Sequence, residues 1–206
     1  DRETMLFFGY FTYLTFFANF FHLPIVLYMN NRLNFSVSNN TMIFGFKILG
    51  MVLALFSVGK VIDRIGTKRV FLFSHLLLCG VAFGIVALGQ SGSPHTKAIM
   101  IFLLVLSGAT VSSAGLAATA QVFHLAPQEG RALFMNAYSV CLMAGFSLAP
   151  LLAGAIVEWT PEDWSLSVAG RQLNIYETLF ASAGVMLLLG ISLLAYVQDQ
   201  KAEDHI

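Results

Sequence analysis

A few polar residues stand inside long apolar stretches, and their spacing sorts them into groups. Thr12, Thr15, Asn19 and His22 recur at steps of three, four and three. That spacing is one face of a helix, set against Phe7, Phe8, Phe11, Phe16, Phe17, Phe20 and Phe21. Thr110, Ser113, Gln121 and His124 form a second stripe filled out by Ala117, and Asn136, Ser139 and Ser147 a weaker third. Lys47 stands alone, the one charged residue between 33 and 59. Groups of this kind are costly in hydrocarbon and turn toward a bundle interior or a water-filled cavity. Hydroxyls, amides, an imidazole and an ammonium can hold a small polar solute, bind an anionic group or exchange a proton. The alternative for Lys47 is a lysine whose long stem lets its head reach the interface. A second chemistry-bearing run reads Gly59-Lys60-Val61-Ile62-Asp63-Arg64-Ile65-Gly66-Thr67-Lys68-Arg69, and it gathers four of the eleven Lys and Arg.

The elements that position these groups follow from where charge is scarce. Of 206 residues, 57% are hydrophobic and 11% charged, against about 25% charged in soluble domains. Residues 4–31, 70–96, 98–128, 132–157 and 178–198 hold no Asp, Glu, Lys or Arg. A helix needs roughly 20 mostly apolar residues to cross the hydrocarbon core. Six spans are expected, at about 5–29, 41–61, 70–90, 97–124, 132–157 and 175–197, in one transmembrane domain over 1–206. The fold class is an all-α membrane protein, and no strand alternation suggests a barrel. Links carry turn chemistry at Asn30-Asn31, Ser91-Gly92-Ser93-Pro94 and Ala126-Pro127-Gln128-Glu129-Gly130. Residues 158–174, with Trp159, Glu162 and Trp164, suit the headgroup level.

On these spans Lys47 lies six residues below the outer end of the second, roughly 9 Å deep at 1.5 Å per residue. His22 comes at nearly the same depth, and the two are expected to form a polar pair. Pro24 is expected to kink the first span and free carbonyls toward the site, and Pro150 to bend the fifth. His75 and His124 read as interfacial. Glu177 is expected at the outer mouth of the sixth span, served by solvent or a lipid headgroup. Ser107, Gly108, Ser112, Ala114, Gly115, Ala118 and Ala120 read as helix-packing contacts.

Several function classes are excluded or demoted. Eleven Lys+Arg balance eleven Asp+Glu, so there is no basic footprint for nucleic acid. Cys79 and Cys141 lie in apolar stretches without metal-ligand spacing, and neither a metal nor another cofactor is implied. No nucleophile–base or HExxH-like constellation supports an enzyme. The chain opens on Asp1 with no cleavage pattern in its first apolar run. That reads as a retained span in a fragment or processed chain. Counting Lys and Arg by side puts Arg2, Lys60, Arg64, Lys68, Arg69, Arg131 and Lys201 against Arg32, Lys97 and Arg171. Both termini are therefore expected in the cytoplasm.

The run from Gly59 to Arg69 resembles the G-x-x-x-D-R/K-x-G-x-R/K-R/K signature of the major facilitator superfamily, matching every specified position. Pro127 to Arg131 resembles the family's P-x-x-x-R link between helices four and five. The resemblance implies half of a twelve-helix fold, with the signature on the cytoplasmic side between helices two and three. Gly59, Asp63, Arg64, Gly66, Lys68 and Arg69 would then act as a latch on one of two alternating-access states. Gly59 is expected where the second helix packs closely, Gly66 in the turn, and Asp63 as an acceptor for a helix N-terminus or a cation. Helices one and four of a half line the family's cavity, which would take in Thr15, Asn19, His22, Lys47, Thr110, Ser113 and Gln121. Leu104 stands where first halves often carry Arg. Gly145-x-x-x-Ala149-Pro150-x-x-Ala153-Gly154 only partly matches their antiporter motif, so the C-terminal half is expected.

The function read from this is half of a secondary transporter in the plasma membrane, moving a small solute by alternating access. Its partners would be the bilayer, the solute with or without a coupling ion, and the other six-helix half or a second copy. A non-transporting sensor or scaffold of transporter-like fold is the alternative, because fold does not dictate activity.

Overall fold

The computed structural model describes residues 2–89, 94–161, 163–168 and 170–197. Ser91-Gly92-Ser93, Glu162 and the tail with Lys201 lie outside them. Helices α1 (Arg2–Phe20) and α2 (His22–Asn31) make one interrupted rod. It is followed by α3 (Val37–Ile65), α4 (Thr67–Leu88), α5 (Pro94–Leu125), α6 (Arg131–Trp159) and α7 (Ile175–Leu193). Among the described residues, six segments are long and apolar enough to cross a membrane.

The interruption at Phe21 has a local cause. Pro24 has no N–H to give the Phe20 carbonyl four residues back, and its ring crowds that oxygen. Phe21 accordingly leaves helical geometry at φ −92° and ψ 0°. Pro150, in contrast, is carried inside an unbroken α6.

The joint between α3 and α4 is tighter than the eight-residue loop the apolar pattern suggested. Gly66 alone separates them, at φ +81°, a conformation that favours glycine, and its N–H still bonds the Ile62 carbonyl at 2.9 Å. The charged residues on either side are thus helical. They were placed in a loop because hydropathy reports only where the apolar run stops. At the opposite end, Ser36 caps α3 by accepting from the Asn39 N–H at 3.3 Å, which starts the helix four residues before 41.

Residues 158–174 also hold structure that hydropathy did not show. β1 (Ser165–Val168) pairs antiparallel with β2 (Arg171–Asn174), Leu166 opposite Leu173, with Gly170 at φ +81° in the turn. The hairpin leads into a capping box. Asn174 accepts from the Glu177 N–H at 3.0 Å, and Glu177 accepts from the Asn174 N–H at 3.0 Å. Arg171 donates to the Glu177 carboxylate at 3.2 Å and to the Val86 carbonyl at 2.6 Å. Glu177 is therefore buried and served by protein groups, not by solvent or headgroups. Asn174→Ala is expected to cost about 1 kcal/mol of stability, the usual worth of an N-cap. Thermal unfolding in detergent measures it, and an unchanged midpoint would remove the cap's role.

In the bundle, α3 packs on α5, α1 on α6, and α4 on both α5 and α7. Aromatic rings fill the seam around α1. Phe11 stacks on Tyr138 with centroids 5.3 Å apart, and Tyr10 meets Phe71 edge-on at 5.4 Å. The α1–α6 contact is close because α6 buries Gly145, Ala149 and Ala153 there, small residues in place of side chains. Apolar faces remain uncovered on several helices, Phe73 and Leu76 on α4 and Leu188 and Leu189 on α7 among them. Phe46, Leu49, Leu53 and Phe56 on α3 and Leu133, Val140, Leu148 and Leu151 on α6 are exposed. Contiguous apolar surface of this kind suits lipid or another protein.

Candidate functional site

Lys47 and His22 meet. The Lys47 Nζ lies 2.9 Å from Nδ1 and 2.8 Å from Nε2 of His22, within reach of whichever ring nitrogen lacks its proton. Lys47 is 8% exposed, so its stem does not run out along the helix to the interface. It also sits deeper than expected. From Val37, where α3 begins, ten residues place it about 15 Å along the axis. His22, half-buried, opens α2 at the break and stacks on Phe21 with centroids 5.8 Å apart. Behind the lysine, α5 presents Gly108. A Cβ there would overlap the Lys47 carbonyl and stand 3.1 Å from the Lys47 Cγ. One turn away the relation is reciprocal, with Gly50 against the Val105 carbonyl. The two glycines let α3 and α5 touch backbone to backbone where the charge is held.

Thr15 and Asn19 line a different feature, a cleft of about 50 Å³ between α1, α5 and α6, walled by Phe11, Val111 and Leu142. Both are buried, and both bond their own helix: Thr15 to the Phe11 carbonyl, Asn19 to the Thr15 carbonyl at 2.7 Å. Thr110 and Ser113 do not join them. They line a separate cleft of about 210 Å³ between α3, α4 and α5, beside Val58, Phe73 and Ser74. Their hydroxyls donate to the Leu106 and Ala109 carbonyls, each at 2.7 Å. The helical stripe on α5 is real, but it wraps across two neighbours.

Gln121 belongs to neither cleft. It is 1% exposed and accepts from the Thr67 hydroxyl at 2.8 Å. Thr67 is the first residue of α4, directly after Gly66, so this bond ties the signature joint to α5. Leaving a buried polar partner unsatisfied costs about 1–3 kcal/mol. Thr67→Val is expected to lose that much in thermal unfolding, and Gln121→Leu in the same chain to restore part of it. Additive losses would show that the two residues act separately.

The signature itself divides by exposure. Asp63, Arg64 and Arg69 are exposed at the ends of α3 and α4, and Asp63 forms no ion pair among the described residues. Lys68 is half-buried and donates to the Val197 carbonyl at 3.0 Å, fastening the joint to the segment after α7. Gly59 departs from expectation: it is exposed, with nothing within 4 Å of where its Cβ would stand. The close helix contact attributed to it is made by Gly50 and Gly108 instead, because α3 turns its Gly50 edge, not its Gly59 edge, to α5.

His75 is another correction. It is fully buried, eight residues into α4, with Nε2 3.0 Å from the Tyr10 hydroxyl and Gly190 of α7 leaving room for its ring. Span ends alone suggested an interfacial histidine. The partner on α1, remote in the chain, carried no local signal. His124 is exposed at the end of α5, and Asn136, Ser139 and Ser147 are exposed on α6. The Asn174–Glu177 box was readable as N-x-x-E ahead of an apolar run, and Arg171 as its cation only once the hairpin turned back.

A family model described as Major Facilitator Superfamily matches residues 6–205. Among curated proteins, the chain is 29% identical over 163 residues to the MFS antiporter QDR3 of Candida albicans, covering 77% of this chain and 22% of that protein. It is 22% identical over 166 residues to the putative metabolite transport protein YwtG of Bacillus subtilis, covering 81% and 33%. It is 26% identical over 124 residues to a D-xylose transporter of Levilactobacillus brevis, covering 60% and 26%. The chain thus spans a third or less of the length of each of these three. Six apolar helices match half of the twelve-helix fold. With its signature joint, its helices and the family match in agreement, this integral membrane chain belongs to the major facilitator superfamily.

Proposed function

We propose that the chain is one half, the C-terminal one, of a secondary transporter that moves a small solute by alternating access and has no enzymatic activity. It would sit in the plasma membrane with both termini and the Gly66 joint in the cytoplasm, as the Lys and Arg balance favours. One observation carries the reading. The charged signature residues Asp63, Arg64 and Arg69 are exposed at the ends of α3 and α4, and α3 and α6 leave apolar faces uncovered. Groups in that position are free to meet a second six-helix body, the other half or a second copy. An equilibrium between two arrangements of such bodies is biased by contacts made in only one of them. In this reading Gly59, Asp63, Arg64, Gly66, Lys68 and Arg69 form the latch. Gly66 sets the joint, Lys68 anchors it within the bundle, and the exposed residues engage across the interface.

Thr15, Asn19, His22 and Lys47 supply the polar groups of the solute path from α1, α2 and α3. Thr110 and Ser113 supply the second cleft, and Gln121 acts on the joint through Thr67. The test uses the complete transporter in proteoliposomes, loaded with a panel of labelled sugars, organic acids and lipophilic cations. Spin labels on the two halves report their separation. Solute exchange together with two inter-half distances is the expected result. No exchange of any solute, with a single distance, would leave a scaffold rather than a transporter.

A further inference from the structure

Lys47 is the charged residue that, among the described residues, lies more than two turns from both ends of its helix. No Asp or Glu among the described residues answers it. The ion pair present among the described residues is Arg171–Glu177, between the hairpin and the start of α7. The Lys47 head is held instead by His22, at 2.8 and 2.9 Å. A neutral imidazole can accept a hydrogen bond from an ammonium but brings no compensating charge. A buried cation without a counter-charge is expensive, and in membrane spans such residues face a pathway and await a partner. Two further features show a built site rather than a stray lysine. Gly108 is cut back so that α5 fits against the Lys47 backbone and Cγ, and the helix break at Phe21 puts His22 at the head of α2 beside it. His22 is half-buried, so the pair can be reached from its open side.

We propose that the Lys47 ammonium is the docking point for an anionic group, a carboxylate or a phosphate, on the transported solute. His22 holds the Nζ when the site is empty and yields it when the anion arrives. The anion supplies a negative charge beside Lys47, and a bidentate oxyanion replaces the single imidazole acceptor with two charge-assisted bonds. Asn19, three residues before His22 across the break at Phe21, lines the Thr15 cleft. The inference rests on the transporter reading and adds the class of its solute: a small organic acid or phosphate ester rather than a neutral sugar. A phospholipid headgroup shares this chemistry, and the experiment separates it from a solute.

The complete transporter is purified into neutral phosphatidylcholine nanodiscs, and its thermal unfolding is followed with benzoate, acetate or inorganic phosphate, and with benzamide and glucose as neutral probes. At least one anion is expected to raise the midpoint while neither neutral probe does. Lys47→Met is expected to abolish that rise, and Lys47→Arg, which keeps the charge, to retain it. If Lys47→Met fails to fold, Lys47→Gln serves: it keeps a polar head without the charge, and the anion response is expected to be lost. The proposal is overturned if no anion shifts the midpoint, or if the shift survives Lys47→Met or Lys47→Gln. It is equally overturned if only added phosphatidylglycerol stabilises the wild-type protein, because a lipid then fills the site. Flux distinguishes this failure from that of the transporter reading. A protein that exchanges a neutral solute equally well as Lys47→Met is still a transporter, but not of anions by this site.

Discussion

Gly108→Ala is expected to destabilise this bundle strongly, by the meeting of a new methyl with backbone. The added Cβ would overlap the Lys47 carbonyl, and the obstacle is backbone rather than a side chain that can swing aside. Relief requires α3 and α5, the most closely packed pair of helices, to separate along their crossing. Overpacking of this kind typically costs about 1–3 kcal/mol, and a backbone clash belongs at the upper end of that range. Gly50→Ala meets the Val105 carbonyl one turn away and is expected to cost a similar amount. Once the helices have parted to admit one methyl, the second meets less resistance. The double variant should therefore lose less than the sum of the single losses. Thermal unfolding in detergent of all three variants measures this. A Gly108→Ala protein as stable as the parent would mean that the helices do not touch at this crossing.

Asp63→Asn is expected to leave the stability of the bundle unchanged and to slow transport at least tenfold. The first half follows from exposure. Asp63 pairs with no cation among the described residues, and surface changes of this kind stay within about 0.5 kcal/mol. The second half follows from the proposed latch. A hydrogen bond to a charged group is worth about 1.5–3 kcal/mol, and one made in only one of two states shifts their ratio by roughly ten- to a hundredfold. The measurement pairs flux in proteoliposomes with cysteine labelling from each side of the membrane, which reports the populations. Unchanged flux and unchanged labelling would remove Asp63 from the switch. Loss of stability without a change in labelling would make it a structural residue of the bundle.

Some of this was legible along the chain because its physical cause is local. Hydrocarbon tolerates neither charge nor unpaired backbone groups, so the charge gaps alone marked six apolar segments and a helical fold. Pro24 marked the break at Phe21, because a missing N–H acts on the residue four places back. The spacing of Gly59, Asp63, Gly66 and Lys68 marked the family, since it is a property of consecutive residues. The Lys47–His22 contact lay between these cases. Equal depth made it readable, but depth says nothing about which way either side chain turns.

What stayed hidden depends on which helix faces which. Gln121 shares a stripe with Thr110 and Ser113, yet it ends on Thr67 while they line a cleft with α3 and α4. A stripe on a long helix crosses more than one neighbour, and periodicity carries no record of where one neighbour ends. His75 looked interfacial until Tyr10 was found beside it, 65 residues away. Glu177 looked solvated until the hairpin returned Arg171 to it.

By itself, then, the sequence determined the medium, the number of apolar rods, the break in the first and the charged joint between the second and third. Each is set by the solvation of a residue or by geometry within four residues of it. Only the tertiary structure decided which glycine of α3 lets it touch α5, Gly50 rather than Gly59. It alone brought Thr67 to Gln121 and turned the lysine inward to His22 rather than out to the interface. Those outcomes depend on how rods of similar apolarity rotate against one another, and packing shape decides that rotation where hydropathy is nearly uniform.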